Sequence, residues 1–216
     1  MPQTLIKLPV NQWVSASWDE YIQTIENPEY AKAKSYYYQG ELKIEMSPLG
    51  NLHASDHAMM SLAIALFASL RNIPLNGKDN CTYRKKGYQE IQPDLSFYIG
   101  DNVNAIGWDV TIINLDEYPL PDLIIEVSYA TLADDLGKKR LLYEDLGVKE
   151  YWIIDVENTQ ILAFTIANNG SRRITESQVL PGLNINILIE ALQRTRITNH
   201  SEVGNWLLQQ FAIINN

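Results

Sequence analysis

The run Leu120-Pro121-Asp122-Leu123-Ile124-Ile125-Glu126-Val127 is apolar almost throughout, and one short helical pattern separates it from a second such run, Tyr151-Trp152-Ile153-Ile154. A strand that is apolar on both faces must be covered on both faces, which is the situation of a central strand in an α/β sheet. The interval from Leu120 to Asp155 has the length of a right-handed βαβ crossover. A chain built around this segment is expected to fold as an α/β domain on a mixed central sheet flanked by helices. Within the first run Glu126 is the ionisable group at the apolar centre.

The helix between the two runs carries a second anomaly. At about 100° per residue, Leu136, Leu142, Tyr143 and Leu146 cluster on one side of Ala133 to Leu146, and Lys139 falls near the middle of that cluster. A buried ammonium needs an anionic partner. Glu126 is one candidate, and Asp94 in Gln92-Pro93-Asp94-Leu95-Ser96-Phe97 is the other, again an acid inside an apolar strand pattern. Thr131 or Asp134 can cap this helix, and Gly147 is a natural residue just past its end.

The remaining chain supplies the frame. Residues 1–16 read as an irregular arm. Ser17 with Glu20 makes a capping box for a short helix ending near Asn27-Pro28. Tyr36-Tyr37-Tyr38, the turn Gln39-Gly40, and Leu42, Ile44 and Met46 alternating with Glu41, Lys43 and Glu45 read as a β-hairpin closed by Ser47-Pro48-Leu49-Gly50, its tyrosines assigned to the core. Ser55 to Leu70 is a helix buried on more than one side. Cys81 to Lys86 and Ile91 to Tyr98 read as two strands joined at Gly87, and Gly100 to Tyr118 as an irregular polar loop expected to gate a cleft. A hairpin of Ile161 to Ile166 with Arg172 to Glu176 precedes two helices, near Leu188 to Arg194 and Ser201 to Phe211, and residues 195–216 form a helical extension of a single domain spanning 1–216.

Composition narrows the chemistry. With 46% hydrophobic and 20% charged residues in 216, the chain has the balance of a globular protein with a full core. No apolar run approaches the roughly 18 residues of a membrane span, and the opening residues lack the apolar region of a secretory signal, so the cytoplasm is the expected location. One cysteine, Cys81, and three histidines, His53, His57 and His200, exclude a disulfide framework and a cysteine-rich zinc site. Carboxylates remain as metal ligands. The net charge of −9 argues against a broad nonspecific nucleic-acid surface, and Arg84-Lys85-Lys86, Lys138-Lys139-Arg140 and Arg172-Arg173 are the only basic clusters.

Phosphodiester hydrolysis needs hard oxygen ligands for Mg²⁺ or Mn²⁺, an oriented water and positive charge at the phosphate. Asp94 and Glu126 are the candidate ligands, with the carbonyl of Val127 completing the shell, and Lys139 is the candidate water-positioning or charge-neutralising group. Asp122 is excluded as partner to Glu126, because at ~3.3 Å per residue the two lie ~13 Å apart along one strand. The position two after Glu126 is Ser128, so the lysine must come from the next helix. Lys138, about 100° around that helix, ranks behind Lys139, and Asp135 either holds the lysine or favours the helix N-terminus. Glu41 is an accessory metal-shell acid or a plain surface residue; His53 and His57 are assigned structural or capping roles.

These residues, with Gly40-Glu41-Leu42, Met46-Ser47-Pro48 followed by His53, Gln92-Pro93-Asp94, Ile125-Glu126-Val127, the block Asp135 to Tyr143 and the block Gly147 to Asp155, resemble a family of bacterial restriction-endonuclease-like proteins in the PD-(D/E)XK nuclease superfamily. The resemblance runs from about Ser17 to Leu188. It implies a restriction-endonuclease-like core, Mg²⁺ or Mn²⁺ on Asp94 and Glu126, Lys139 as a lysine migrated from strand to helix, Glu41 as an accessory residue, DNA as substrate and a homodimer as a compatible assembly. Where the family has a Val-x-Ser-Pro-Ser type turn, this chain has Val127-Ser128-Tyr129-Ala130-Thr131, one residue shorter. Two other readings stand beside the endonuclease: a nucleic-acid-binding or interaction module that keeps the fold without turnover, and a metal-dependent hydrolase of a small phosphorylated substrate.

Overall fold

The structure is a computed structural model describing residues 9–46 and 50–213; the expected closing turn at residues 47–49 and the first half of the N-terminal arm, residues 1–8, lie outside the described residues. In chain order the elements are β1 (Trp13–Ser15), α1 (Trp18–Ile25), β2 (Lys34–Tyr38), β3 (Glu41–Glu45), α2 (Asn51–Leu70), β4 (Leu75–Asp79), β5 (Tyr83–Lys85), β6 (Gln89–Ile91), β7 (Leu95–Ile99), β8 (Ile113–Asn114), β9 (Leu123–Ser128), α3 (Leu132–Leu136), α4 (Lys138–Leu146), β10 (Glu150–Asp155), β11 (Gln160–Ala167), β12 (Gly170–Arg173), α5 (Ile185–Thr195) and α6 (His200–Ile213).

The strands form two mixed sheets rather than one. The first has the order β1-β3-β2-β6-β5-β8, and the second β12-β11-β10-β9-β7-β4. The parallel pair β9–β10, joined through α3 and α4, is the expected crossover, and every residue of both strands is buried. Helix α2 packs on the second sheet through Met59, Met60, Ala63, Ile64 and Phe67, and α5 and α6 extend that core through Leu188, Leu192, Leu207 and Phe211. No described helix is long and apolar enough to cross a membrane.

Three departures from the sequence pattern place the site. The expected strand Ile91 to Tyr98 is broken at Gln92-Pro93-Asp94, so β6 belongs to one sheet and β7 to the other. Proline has no N–H to give a ladder, and the chain changes sheets there. Asp94 therefore stands at the junction, just before β7, whose Leu95 pairs with Ile125 of β9. In the same way the helix expected over Ala133 to Leu146 is two helices meeting at Gly137 (φ −102°, ψ −105°), where a Cβ would come within 2.8 Å of the Ala133 carbonyl oxygen. Gly147, at φ 83°, ends α4 in the left-handed conformation that glycine adopts without strain.

The third departure is the hairpin's polar face. The turn Gln39-Gly40 has positive φ at both residues (50° and 75°), the backbone of a two-residue hairpin turn whose twist matches its strands. Its register pairs Lys34 with Glu45, Tyr36 with Lys43 and Tyr38 with Glu41. These six side chains share one face by the period-two rule, and that face is covered. Lys43 is buried and ion-paired to Asp134 at 2.6 Å and to Glu45 at 2.7 Å, Tyr38 donates to Asp145, and Glu41 pairs with Lys138. The hairpin docks onto α3 and α4 through these ion pairs together with Tyr36 and Tyr38, which join the buried apolar cluster of Leu142 and Tyr143.

Elsewhere the arm is less irregular than its sequence suggests, since β1 pairs with β3. The capping box forms, with the Ser17 amide donating to Glu20 Oε2 at 2.7 Å and the Glu20 amide to Ser17 Oγ at 3.3 Å. Strand β4, missed in the sequence pattern because Leu75-Asn76-Gly77-Lys78-Asp79 has no apolar alternation, is an edge strand whose Gly77 leaves room for the Phe97 ring. The loop Gly100 to Tyr118 is pinned by β8, with Ile113 buried and paired to Tyr83.

Candidate active site

Asp94 and Glu126 face each other one step beyond the Leu95–Ile125 pair of the antiparallel β7–β9 ladder. Both are buried, as is Lys139 on the first turn of α4. The Lys139 Nζ lies 3.7 Å from Glu126 Oε1, 3.1 Å from Asp135 Oδ1 and 2.9 Å from Glu45 Oε1, and it sits over the Tyr36 ring at 4.2 Å. These groups border a cleft of about 190 Å³ whose walls include Lys34, Glu45, His53, Asp94, Glu126 and Lys139.

Each carboxylate is held by the surrounding fold. The amide of Val127 donates to Asp94 Oδ2 at 2.7 Å, Lys34 pairs with Oδ1, and His53 Nε2 stands 3.6 Å from Oδ2. Glu126 Oε1 accepts hydrogen bonds from Tyr143 Oη at 2.6 Å and Tyr36 Oη at 3.1 Å. Burial, and next the Glu126 charge, push both tyrosine hydroxyls well above their ordinary range, so they remain neutral donors.

The two acids respond in opposite directions. Burial would raise Asp94, but the His53 ring and the Lys34 ammonium outweigh it and hold Asp94 far below the usual carboxylate range. Burial raises Glu126, Lys139 opposes that, and the Asp94 and Asp135 charges add to the rise, leaving Glu126 above its ordinary value. Two neighbouring buried carboxylates resist carrying two negative charges together, and an added cation relieves that resistance. Lys139 is held charged, because Glu126, Asp135 and Glu45 outweigh its burial.

Among the described residues no three His, Cys, Asp or Glu side chains form a group able to hold a metal ion by themselves. The donor set is two carboxylates beside an open cleft. Mg²⁺ is commonly bound in that way, through one or two carboxylates with water and substrate phosphate supplying the rest. On donor chemistry and on the unresolved repulsion between Asp94 and Glu126, the residues fit a hard divalent cation.

The structure thus brings together Asp94, Glu126 and Lys139, puts Asp135 behind the lysine and sets Val127 on the cleft wall. Glu41 and Lys138 pair with each other outside that wall, with Lys138 lying over Trp13 at 4.6 Å. The loop Gly100 to Tyr118 does not gate the cleft: none of its residues borders it, and the loop leaves from the far end of β7. Asp122, at that far end, accepts from the Ile99 amide at 2.8 Å and Lys149 at 2.6 Å. A larger groove of about 750 Å³ lies there, but Asp122 and Glu150 in its wall are already paired with protein donors. Sequence reasoning missed Lys34, Tyr36, Glu45 and His53. For Lys34 and Glu45 the signal was their common face with Tyr36 on the hairpin.

The fold and this cleft define a restriction-endonuclease-like α/β protein. The profile of the Uma2 family, described as "Putative restriction endonuclease", matches residues 18–198, and the chain belongs to that family. A solved structure described as a "putative nuclease belonging to DUF820", from Anabaena variabilis ATCC 29413, superposes with a TM-score of 0.56 at 18% identity, covering 82% of this chain and 98% of its own. At that identity the likeness speaks for the fold. No curated protein matches the chain.

Proposed function

We propose that the cleft is the active site of a divalent-cation-dependent endonuclease that hydrolyses DNA phosphodiester bonds. The observation that carries this reading is the meeting of Asp94, Glu126 and Lys139, from a sheet junction, a central strand and a helix start, at one buried point open to a cleft. Asp94, Glu126 and the Val127 carbonyl would hold Mg²⁺ or Mn²⁺, which when bound supplies Lewis acidity and lowers the pKa of water. Val127 through its amide, and Tyr36 and Tyr143 through their hydroxyls, fix the two carboxylates before substrate arrives. Lys139, kept cationic by three acids, stabilises charge growing on the phosphate or orients the attacking water. Asp135 and Glu45 hold Lys139 in place. Glu41 and Lys138 support the site through the hairpin–α4 contact. Two clefts, and so a homodimer, would serve cleavage of both strands of a duplex, with the cytoplasm as the setting.

The test is incubation of the protein with plasmid and linear DNA in Mg²⁺ or Mn²⁺, with chelator, Asp94→Ala and Lys139→Ala as controls. Cleavage by the wild type that disappears in all three controls is expected. Folded protein that cuts nothing with any divalent ion would reduce the account to a binding module. The small cleft volume and the presence, among the described residues, of Lys34 and Lys139 as the only lysines or arginines on its wall favour a second reading, hydrolysis of a small phosphorylated compound. A phosphatase or cyclic-phosphodiesterase assay with the same variants separates the two.

A further inference from the structure

Lys34 has no place in the chemistry set out above, yet it touches that chemistry directly. It is the first residue of β2, its backbone fixed opposite Glu45 by the hairpin ladder, and its ammonium reaches across to Asp94 Oδ1. Among the described residues it and Lys139 are the two lysines on the cleft wall. They differ in what they are free to do. Lys139 is 2% exposed and surrounded by Glu126, Asp135 and Glu45, whereas Lys34 is 16% exposed and among the described residues its one ion pair is with Asp94. A long, flexible side chain at a cleft surface can leave a single partner; one enclosed by three carboxylates cannot.

Resting on the reading of Asp94 as a ligand for a divalent ion, we propose that Lys34 is a further substrate-binding residue that exchanges partners: it neutralises Asp94 in the free protein, yields that carboxylate to the incoming cation, and then takes the substrate's phosphate. Two cations do not gain by sharing one oxygen, because the repulsion between them is strong in a site shielded from water. Displacement leaves the ammonium a few ångströms from the bound ion, on the cleft wall where an anionic substrate must pass. Lysine suits such a role, as a compact point charge on a mobile stem that binds phosphate without demanding fixed geometry. The exchange also supplies local positive charge to an acidic protein only when the cation is in place, so phosphate binding follows metal binding.

The experiment is calorimetric titration of Mn²⁺ into the wild-type protein, Asp94→Asn, Lys34→Gln and Lys34→Arg, followed by anisotropy with a labelled, phosphorothioate-linked DNA oligonucleotide on the Mn²⁺-loaded proteins. Removing the competing ammonium is expected to tighten Mn²⁺ binding in Lys34→Gln by about tenfold, while Lys34→Arg does not tighten it and Asp94→Asn abolishes it. The oligonucleotide is expected to bind about tenfold more weakly to Lys34→Gln and near normally to Lys34→Arg. Mn²⁺ affinity in Lys34→Gln that is unchanged or weaker, with wild type binding normally, overturns the exchange; oligonucleotide affinity that is unchanged overturns the phosphate contact. Failure of wild type to bind Mn²⁺ instead removes the nuclease reading on which the exchange rests.

Discussion

Glu45 shows how one side chain joins the stability of this protein to its site. Burial pushes its carboxyl up, but Lys139 and Lys43 outweigh burial and hold it down at about 2 from an ordinary 4.5. Because the folded-state value is depressed, the stabilisation it provides is fully present above pH 4.5 and is lost as pH falls toward 2. A depression of that size corresponds to about 3 kcal/mol. Glu45→Gln is therefore expected to lower stability near neutral pH and to flatten the acid limb of a urea-unfolding series. Parallel acid limbs for variant and wild type would contradict the pairing. At this scale the sequence was legible where an ion interrupts an apolar pattern, and so Asp94, Glu126 and Lys139 stood out. Lys34 and Glu45 lie in an ordinary polar–apolar alternation, and Tyr36 sits in an aromatic run assigned to the core. Period two tells which residues share a face and is silent on whether water or another element covers it.

The elements that build the cleft are joined at points where regular structure stops. Pro93 ends one sheet's strand and lets Asp94 begin the other's, and Gly137 divides the helix so that Lys139 falls on the first turn of α4. The backbone approach at Gly137 makes a direct prediction. A methyl group there would meet the Ala133 carbonyl oxygen at 2.8 Å, so α3 and α4 must separate. Gly137→Ala is expected to destabilise the fold by about 1–3 kcal/mol and to reduce cleavage by moving Lys139, with denaturant unfolding and the plasmid assay as readouts. Stability and activity both at wild-type level would show that the break has no such role. The crossover from β9 to β10 was readable because its strands are continuously apolar and Gly147 marks the end of its helical segment, whereas the break at Gly137 was not read. The two-sheet arrangement was not, because Ile91 to Tyr98 is apolar on both sides of the break and only Pro93 signals it. Strand β4 was invisible for the opposite reason, since an edge strand with Gly77 under an aromatic ring carries no pattern of its own.

Across the whole molecule, an excess of acid coexists with a cleft proposed to act on an anionic substrate. The net charge is −9, and the described cations that touch the site are paired inward, Lys139 to Glu126, Asp135 and Glu45, Lys43 to Glu45 and Asp134, and Lys34 to Asp94. Steering by a broad basic surface is therefore not how this protein would gather substrate. On the proposed function the attraction would be generated locally, by a cation held at the carboxylates, and metal binding is therefore the central claim to test. Its most direct measurement is an anomalous-difference map from crystals grown with Mn²⁺, for the wild type and for Glu126→Gln. The account predicts a wild-type peak bounded by the carboxylates of Asp94 and Glu126, and its loss or marked weakening in the variant. A wild-type crystal saturated with Mn²⁺ that shows no peak there, or shows its peak elsewhere in the molecule, would contradict it.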